Sequence, residues 1–321
     1  MDRLPVVPIP TPTPFAVGDV NTYLITSDPP TLIDTGTATL PAENALRLGF
    51  AKEGFFIESL RRVVVTHAHP DHYGLAPKIC EASGADVYVG VEEVEKVQAG
   101  AMWFELGHIL VEAGIPYEMI LEMKKYAPMA RKIHPVLEDV KPLADGDVLD
   151  FDGFGLEVHH FPGHTGGHIC LYEPETGTMF SGDTLLPSIT PNPLWEADPN
   201  EPTGRRKSLV QYMESLERLE QMDLRLVYPG HGEPITDARA LIASYRAHHA
   251  KRSDRIASMV ADEGKTAFQI AAEMYPDRGI DDRFLATSEI LAHMDILIDQ
   301  GRVTAEPSDG VVFFRAATRP A

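Results

Sequence analysis

Short apolar runs alternate with amphipathic stretches along most of the chain. Runs rich in β-branched and aromatic residues and bounded by Gly, Pro, Asn or Asp predict strands, whereas apolar positions spaced three and four apart predict helices. Strands are predicted at 20–26, 31–33, 63–66, 85–89, 156–160, 169–172, 178–180 and 224–228, and helices in the first half at 40–53 and 75–83. Two groups of strands with helices between them predict an α/β fold in which helices cover stacked sheets.

Residues 92–141 interrupt this pattern and predict two or three helices. Flexible Met side chains adapt to varied ligands, so one interpretation is a lid or apolar substrate wall over the active site. The other is an insertion whose apolar faces complete the core. The candidate substrate contacts in this segment are Met102, Trp103, Phe104, Met119 and Met123.

A second change of pattern comes near residue 245. From there the chain predicts three helices and a hairpin, the outline of a small winged-helix module. We therefore divide the chain into a catalytic domain, 1–245, and a C-terminal module, 246–321. The helix that would read DNA opens with Asp281 and Asp282, which phosphates would repel, so we expect a docking surface or a homodimer contact instead.

Composition and charge narrow the class of protein. The 321 residues suffice for one large domain, or a large and a small one, and 44% hydrophobic with 24% charged residues is typical of a soluble globular protein. The net charge of −20 makes nucleic acid an unfavourable partner. Two cysteines, a proline-rich start without an apolar signal segment, and the absence of a long apolar run predict a cytoplasmic protein that contacts no membrane.

The densest group of chemically useful residues is the run from Thr66 to His72, Thr-His-Ala-His-Pro-Asp-His, directly after a β-branched strand. Neutral imidazoles and a carboxylate are natural ligands of zinc or iron. In an extended segment His67 and His69 face the same side and can share one ion. Pro70 ends the strand geometry and directs Asp71 and His72 elsewhere, toward a second ion; Asp71 is also a candidate cap for the helix that follows.

Three further segments carry metal ligands at the ends of apolar strands. They are His164 and His168 in Phe-Pro-Gly-His-Thr-Gly-Gly-His, Asp183 in Phe-Ser-Gly-Asp-Thr, and His231 in Tyr-Pro-Gly-His-Gly. Glycines beside these residues allow the backbone to approach an ion closely. Each segment alone could be an ordinary turn, but the ordered set predicts a metal site.

With these motifs the chain resembles the metallo-β-lactamase fold superfamily, whose hallmark is H-x-H-x-D-H followed by separate His, Asp and His motifs. The resemblance covers about residues 15–235 and implies a four-layer αββα sandwich. The Asp at position 183 makes the chain more similar to the glyoxalase II, lactonase and nuclease branches than to antibiotic-hydrolysing enzymes. The tail resembles the winged-helix tail of hydrolases grouped near a human mitochondrial endoribonuclease.

The resemblance also implies a ligand set. It places His67, His69 and His164 on a first ion, with Asp71, His72 and His231 on a second and Asp183 between them. It further implies that Asp71 orients the nucleophile and that Asp34 and His168 support the ligands by hydrogen bonds. Two divalent ions about 3.5–4 Å apart clamp a bridging water and lower its pKa toward about 7, so a metal-bridging hydroxide is the expected nucleophile.

These features predict a metal-dependent hydrolase that cleaves a small carboxylic ester, thioester or lactone. Zinc is the default metal, although iron and manganese accept the same ligands. The main alternative is a phosphodiesterase or endoribonuclease, which the tail and the cations Arg205 and Arg206 suggest, since both could contact a phosphate. Further alternatives are a sulfur dioxygenase with one iron, which would need only one ligand triad, and a binding protein without catalysis.

Overall fold

The computed structural model describes residues 4–100, 107–125, 132–198, 201–260, 263–277 and 279–317. The predicted mixed α/β fold is confirmed. The strands are β1 (Val6–Thr11), β2 (Val20–Ile25), β3 (Thr31–Ile33), β4 (Arg62–Val65), β5 (Asp86–Gly90), β6 (Lys141–Leu143), β7 (Val148–Phe151), β8 (Phe154–His160), β9 (Ile169–Glu173), β10 (Thr178–Gly182), β11 (Ala197–Asp198), β12 (Glu201–Arg205), β13 (Leu226–Pro229), β14 (Val303–Ser308) and β15 (Val311–Ala316). The described helices are α1 (Leu40–Lys52), α2 (Pro70–Tyr73), α3 (Ala76–Ser83), α4 (Val94–Ala99), α5 (Gly107–Glu112), α6 (Tyr117–Lys125), α7 (Ser208–Glu220), α8 (Ala238–Met259), α9 (Ala267–Met274) and α10 (Ile280–Asp299).

Two sheets form the centre of the molecule. The first has the strand order β1-β2-β3-β4-β5-β6, and the second has the order β13-β10-β9-β8-β7. Strands β3, β4, β5 and β6 run parallel to one another, and β10 runs parallel to β13. The other pairs in these sheets are antiparallel. The carboxyl ends of parallel neighbours lie at one edge of a sheet, where α/β proteins commonly place their ligands.

The residues of β4 show how the layers are built. Val63 and Val65 pack into an apolar core with Leu46 and Phe50 of α1, while Val64 faces the second sheet and packs with residues such as Phe180. A strand buried on both faces is a continuous apolar run, as this one is. Helices α7 and α8 cover the outer face of the second sheet through a further core. The layers are therefore helices, sheet, sheet and helices.

Strand β1 was not predicted, because Pro8 and Pro10 lie inside it. It pairs only with β2, at the edge of the first sheet. Proline lacks the N–H that a central strand must donate, and an edge strand tolerates this loss. The predicted cap at Asp71 is wrong: α2 begins at Pro70, so Asp71 lies in its first turn and no side chain caps that turn.

The segment 92–141 connects the parallel strands β5 and β6. Its described helices α5 and α6 contribute Ile109, Leu110 and Ile120 to an apolar core that also contains residues of α9 and α10, such as Ile270 and Leu291. These helices therefore complete a core shared with the C-terminal part of the chain. Three of the predicted substrate contacts, Met102, Trp103 and Phe104, lie outside the described residues.

Beyond residue 245 the chain contains α9, α10 and the hairpin β14–β15. The proposed boundary at 245 falls within α8, which runs unbroken from Ala238 to Met259. In the part of the chain that the structure describes, we find no helix long and apolar enough to cross a membrane.

Candidate metal centre

The predicted metal ligands meet where strands of the two sheets end. β4 leads into His67–His72, β10 leads into Asp183, and β13 leads into His231. Because β10 and β13 are parallel neighbours, Asp183 and His231 leave the sheet at the same edge. The backbone N–H of Ile169 donates to the carbonyl of Thr66 at 3.0 Å, which joins the two sheets at this edge.

One triad consists of His67, His69 and His164. The Nε2 atom of His67 lies 2.9 Å from Nδ1 of His69, and Nε2 of His164 lies 3.0 Å from that same Nδ1. His67 and His164 are buried and His69 is half-buried. Three imidazole nitrogens therefore converge on one point, as the ligands of a single ion do.

A second triad consists of Asp71, His72 and His231, whose ligand atoms lie within 4.8 Å of one another. Asp183 lies between the two triads. Its Oδ1 is 3.4 Å from Nε2 of His72, and its Oδ2 is 3.6 Å from Nε2 of His164 and 3.7 Å from Nε2 of His231. A carboxylate in this position can contribute one oxygen to each of two ions.

Hydrogen bonds on the outer side orient three of the imidazoles. Nδ1 of His72 donates to the Asp34 carboxylate at 2.7 Å, Nδ1 of His164 donates to the Asn192 carbonyl at 2.9 Å, and Nδ1 of His231 donates to the Asp19 carbonyl at 2.8 Å. An imidazole that donates through one nitrogen presents the lone pair of the other nitrogen to a metal. In all three residues that nitrogen is Nε2, and it faces the centre.

Asp34, a predicted support residue, is buried at the end of β3 and has a left-handed backbone with φ of 55°. It accepts the N–H of Thr66 at 2.8 Å and the Thr66 hydroxyl at 2.9 Å. Because that hydroxyl donates to Asp34, it can accept from Nδ1 of His67, which is 3.1 Å away. One carboxylate thus orients His72 directly and His67 through Thr66.

His168, the other predicted support residue, stacks on the ring of His67, with centroids 4.7 Å apart, and is hydrogen-bonded to the backbone of Asp183. The backbone N–H of Asp183 donates to Nε2 of His168 at 3.0 Å, so Nδ1 carries the proton and donates to the Thr184 hydroxyl at 3.1 Å. Both ring nitrogens are therefore engaged. The structure gives His168 a role in fixing the backbone of Asp183, and leaves it no lone pair for an ion.

Burial and neighbouring charges shift the pKa values of the candidate ligands, downward for three imidazoles and for Asp183 and upward for His72. Burial lowers the pKa of His67, His69 and His164, and neighbouring imidazoles lower those of His67 and His69 further, so all three favour the neutral form that binds metals. Burial opposes charge on Asp183, but His72 and His231 outweigh it and hold the Asp183 pKa well below its usual value. Burial likewise opposes protonation of His72, yet Asp183, Asp34 and Asp71 raise its pKa well above normal.

Three buried polar atoms at the centre lack hydrogen-bond partners among the residues that the structure describes, and this indicates whether the residues fit a metal. Nε2 of His72, Nε2 of His231 and Oδ1 of Asp183 are buried and accept or donate no hydrogen bond within the described ranges. Leaving buried polar atoms without partners is costly. Cations at the two triads would satisfy all three atoms, and imidazole with carboxylate suits zinc, iron or manganese. The residues present therefore fit divalent metal ions.

The structure describes three of the predicted substrate contacts, Arg205, Arg206 and Met119. Arg205 forms a bidentate salt bridge with Asp295, with N–O distances of 2.5 and 2.6 Å. Arg206 donates a hydrogen bond to the Glu92 carboxylate at 2.5 Å. Both arginine side chains are largely buried in these ion pairs. Met119 packs against the core that α5 and α6 share with the C-terminal helices, and the side chain of Met123 lies outside the described residues.

The sequence did not reveal several residues that support the centre. Lys96 binds both Glu93 and Glu196, and these two carboxylates accept backbone N–H groups of the ligand loops. Asn192 and Asp19 contribute only carbonyl oxygens to the centre. A carbonyl leaves no trace in residue type. Glu93 follows the exposed Glu92 in the sequence, and only the fold shows that Glu93 is the buried one of the two.

Comparisons with known proteins agree with this geometry. The family model described as "Metallo-beta-lactamase superfamily" matches residues 16–231. "Probable metallo-hydrolase YqjP" of Bacillus subtilis is 34% identical over 318 residues, which are 98% of this chain and 98% of that protein. "Atrochrysone carboxyl ACP thioesterase" of Emericella nidulans is 26% identical over 237 residues, 74% of this chain and 59% of that protein. A metallo-beta-lactamase family protein from Thermus thermophilus superimposes with a TM-score of 0.81 at 28% identity, covering 97% of this chain and 98% of that chain.

Proposed function

We propose that this chain, which belongs to the metallo-beta-lactamase superfamily and is a metal-dependent hydrolase, uses two divalent ions to cleave a small carboxylic ester, thioester or lactone. The family match confirms the resemblance that the motifs predicted. One observation supports the two-ion site most strongly. The Asp183 carboxylate lies between two ligand triads, with buried lone pairs facing inward from both sides.

In this proposal His67, His69 and His164 hold the first ion, and Asp71, His72 and His231 hold the second. Divalent ions in such a site supply Lewis acidity and lower the pKa of water from 15.7 to about 7. Asp183 would be shared between the two triads. Zinc is the expected metal, because nitrogen and carboxylate ligands in this number suit it.

The residues of the chain contribute orientation and charge. The carboxylates of Asp71 and Asp183 give the centre negative charge, which attracts cations. Their oxygens can accept hydrogen bonds from an attacking water. Asp34 and His168 hold their partners in fixed orientations, which lowers the cost of reorganisation during the reaction. From the family resemblance we assign Asp71 the orientation of the attacking water; its Oδ2 lies 3.4 Å from Nε2 of His231, within the second triad.

Ion pairing of the two candidate cations favours a carbonyl substrate over a phosphodiester. A phosphate needs accessible positive charge, and Arg205 and Arg206 are both bound to carboxylates and largely buried. The net charge of −20 also opposes a polyanionic substrate. The phosphodiesterase alternative thereby loses Arg205 and Arg206 and retains Lys207, which is exposed, and the resemblance of the tail. The name of the Emericella nidulans relative, a thioesterase, supports an ester or thioester substrate.

The assignments of compartment and of the C-terminal module rest on the cysteines and on the order of the last elements. Both cysteines are unpaired, which suits a reducing cytoplasm. The succession α8, α9, α10 and the hairpin β14–β15 supports a winged-helix-like module at residues 246–321, and we assign it to contact with a second copy of the chain rather than to nucleic acid. Since this assignment leaves no surface for nucleic acid in the module, we expect the substrate to be a small molecule.

A substrate panel tests the chemical class. Metal-free protein is loaded with zinc, manganese or ferrous iron and assayed with an acyl thioester, an aryl ester, a lactone and a phosphodiester. We expect carbonyl substrates to be cleaved at least tenfold faster than the phosphodiester with the best metal. Faster phosphodiester cleavage would favour the nuclease alternative, and oxygen consumption with one iron per chain would favour the dioxygenase.

A further inference from the structure

Glu93 is a fully buried carboxylate outside the ligand set. It ends the short 3-10 turn Val91–Glu93 that follows β5, and its side chain has no exposed surface. Burial alone would raise its pKa, but Lys96 outweighs burial and lowers it. An ionised carboxylate in the interior is expensive unless several groups bind it. The groups that bind Glu93 therefore indicate what it does.

Three of these groups belong to the loops that carry the first triad. Oε2 of Glu93 accepts the N–H of Ala68 at 3.0 Å, and Oε1 accepts the Thr165 hydroxyl and the Gly167 N–H, each at 2.8 Å. Ala68 lies between His67 and His69, and Thr165 follows His164. One side chain therefore connects the backbone segments from which all three imidazoles of the first triad project.

Lys96 and Glu196 extend this connection. Nζ of Lys96 donates to Oε1 of Glu93 at 2.8 Å and to Oε1 of Glu196 at 2.7 Å. Oε2 of Glu196 accepts the N–H of Gly166 at 2.8 Å. The three side chains Glu93, Lys96 and Glu196, which we call the Glu93 clamp, thus bind consecutive residues of the His164 loop.

The glycine pair in that loop fits the same purpose. A Cβ atom at Gly167 would lie 2.8 Å from Oε1 of Glu93, and one at Gly166 would lie 2.4 Å from Nε of Arg206. A Cβ at Gly167 would also lie 2.8 Å from the backbone nitrogen of Glu93, which cannot move aside as the Arg206 side chain can. The loop therefore approaches the clamp closely because position 167 is glycine.

The second triad is held by groups other than the Glu93 clamp, although one of them, Asp34, also orients His67 through Thr66. His72 is bound by Asp34 and His231 by the Asp19 carbonyl. Among the residues described here, no hydrogen bond joins Glu93 to Asp71, His72 or His231. We propose that Glu93 is a positioning residue for the first triad, which sets the affinity of the first ion and leaves that of the second ion unchanged. This inference rests on the two-ion centre of the proposed function, but not on its substrate.

Chelator competition with zinc, followed by native mass spectrometry, tests the inference without any assay of activity. Each ion is isolated by a ligand substitution in the other triad: His231→Ala reports on the first ion, and His69→Ala reports on the second. Loss of a residue that orients metal ligands typically lowers metal affinity about 10–100-fold. We expect Glu93→Gln to do so in the His231→Ala background and to change affinity less than about twofold in the His69→Ala background. Glu95→Gln, an exposed carboxylate on the same segment, is the matched control.

Equal losses in both backgrounds, or no loss in either, would overturn the inference. If Glu93→Gln does not fold, Lys96→Gln replaces it, because this ammonium is partly exposed and its loss leaves the Glu93 carboxylate in place. We expect a smaller loss at the first ion alone, and an unselective effect or none would again overturn the inference. Failure of every ester and thioester in the substrate panel would refute the proposed substrate and leave these affinities fully interpretable.

Discussion

At the scale of single residues, Asp183 combines a buried charge with fixed geometry. His168 holds its backbone N–H, while His72, His164 and His231 surround its carboxylate. A carboxylate that is shared between ions must carry a full negative charge, and the lowered pKa of Asp183 keeps it ionised. Replacing one oxygen by an amide nitrogen removes that charge with little change in volume.

We therefore expect Asp183→Asn to lose at least one of two zinc ions and to lower kcat about 100-fold or more, while the circular dichroism spectrum is retained. The amide nitrogen cannot serve as a ligand, and one triad loses its charge compensation. Elemental analysis and turnover measure the two effects. Asp150→Asn, an exposed carboxylate on β7, is the control. Normal zinc content and normal turnover in Asp183→Asn would refute a shared ligand.

His168 provides a complementary prediction. His168→Phe leaves the buried N–H of Asp183 without an acceptor, which costs about 1–3 kcal/mol of unfolding free energy. Because no ligand atom is removed, we expect two zinc ions to remain at saturating metal. Urea denaturation and elemental analysis measure the two quantities. Loss of an ion at saturation would show that His168 is itself a ligand.

The candidate ligands stand out in the sequence because each lies in a short motif at the end of an apolar strand. The support residues could not, because their contacts join distant parts of the chain. Glu93 binds Ala68 across 25 positions and Gly167 across 74 positions. For Arg206 the charge suggested a phosphate contact, whereas in the structure its largely buried side chain is ion-paired with Glu92 and Glu196.

At the scale of elements, strands with plain apolar patterns were predicted to within a residue or two. Helix α1 was predicted to end at Glu53 and ends at Lys52, and β4 was displaced by one residue. The strands that were missed contain proline, as β1, β6 and β12 do, or are short, as β7 and β11 are. Such strands depend on their neighbours in the sheet, and local pattern does not encode those neighbours.

The contact between β12 and α10 gives a prediction at this scale. Arg205, at the end of β12, donates to the Asp295 carboxylate of α10 through both terminal guanidinium nitrogens. Both side chains are largely buried. Removing one partner of a buried pair leaves an uncompensated charge, which typically costs about 3–5 kcal/mol. We expect Arg205→Met to lower the free energy of unfolding by that amount and to leave KM unchanged.

Lys207→Met is the matched control, because Lys207 pairs with Asp299 of the same helix but both side chains are exposed. An exposed pair contributes about 0–1 kcal/mol. Urea denaturation gives the stabilities and substrate titration gives KM. A large rise in KM for Arg205→Met at unchanged stability would restore Arg205 as a substrate contact.

At the scale of the whole molecule, the C-terminal helices contact both the segment between β5 and β6 and the helices of the second sheet. Buried imidazoles lie in this region. Burial, His248 and Arg252 lower the pKa of His249 to about 4, and burial with His249 lowers that of His293 further. The sequence alone predicted no role for these residues, since their burial follows from how α8 and α10 pack.

These shifts predict a pH dependence of stability. In the unfolded chain a His has a pKa of about 6.5, so between pH 6.5 and about 4 the unfolded state binds a proton at His249 and the folded state does not. The free energy of unfolding should fall as pH falls through that range, by up to about 3 kcal/mol for His249. Above pH 6.5 this residue should contribute no slope.

Metal-free wild type and His249→Gln, compared by urea denaturation from pH 7.5 to 4.5, isolate this contribution, because all other titrating groups are shared. We expect a shallower loss of stability in the variant. Parallel curves would contradict a neutral, buried His249.

In the proposed function two ions, one at each triad and joined by Asp183, form the catalytic centre. Its most direct test is a zinc titration of metal-free protein in which turnover of an acyl thioester is followed at each addition. We predict that turnover rises with zinc and levels off at two equivalents per chain. Full turnover at one equivalent, or turnover that does not depend on metal, would contradict the account.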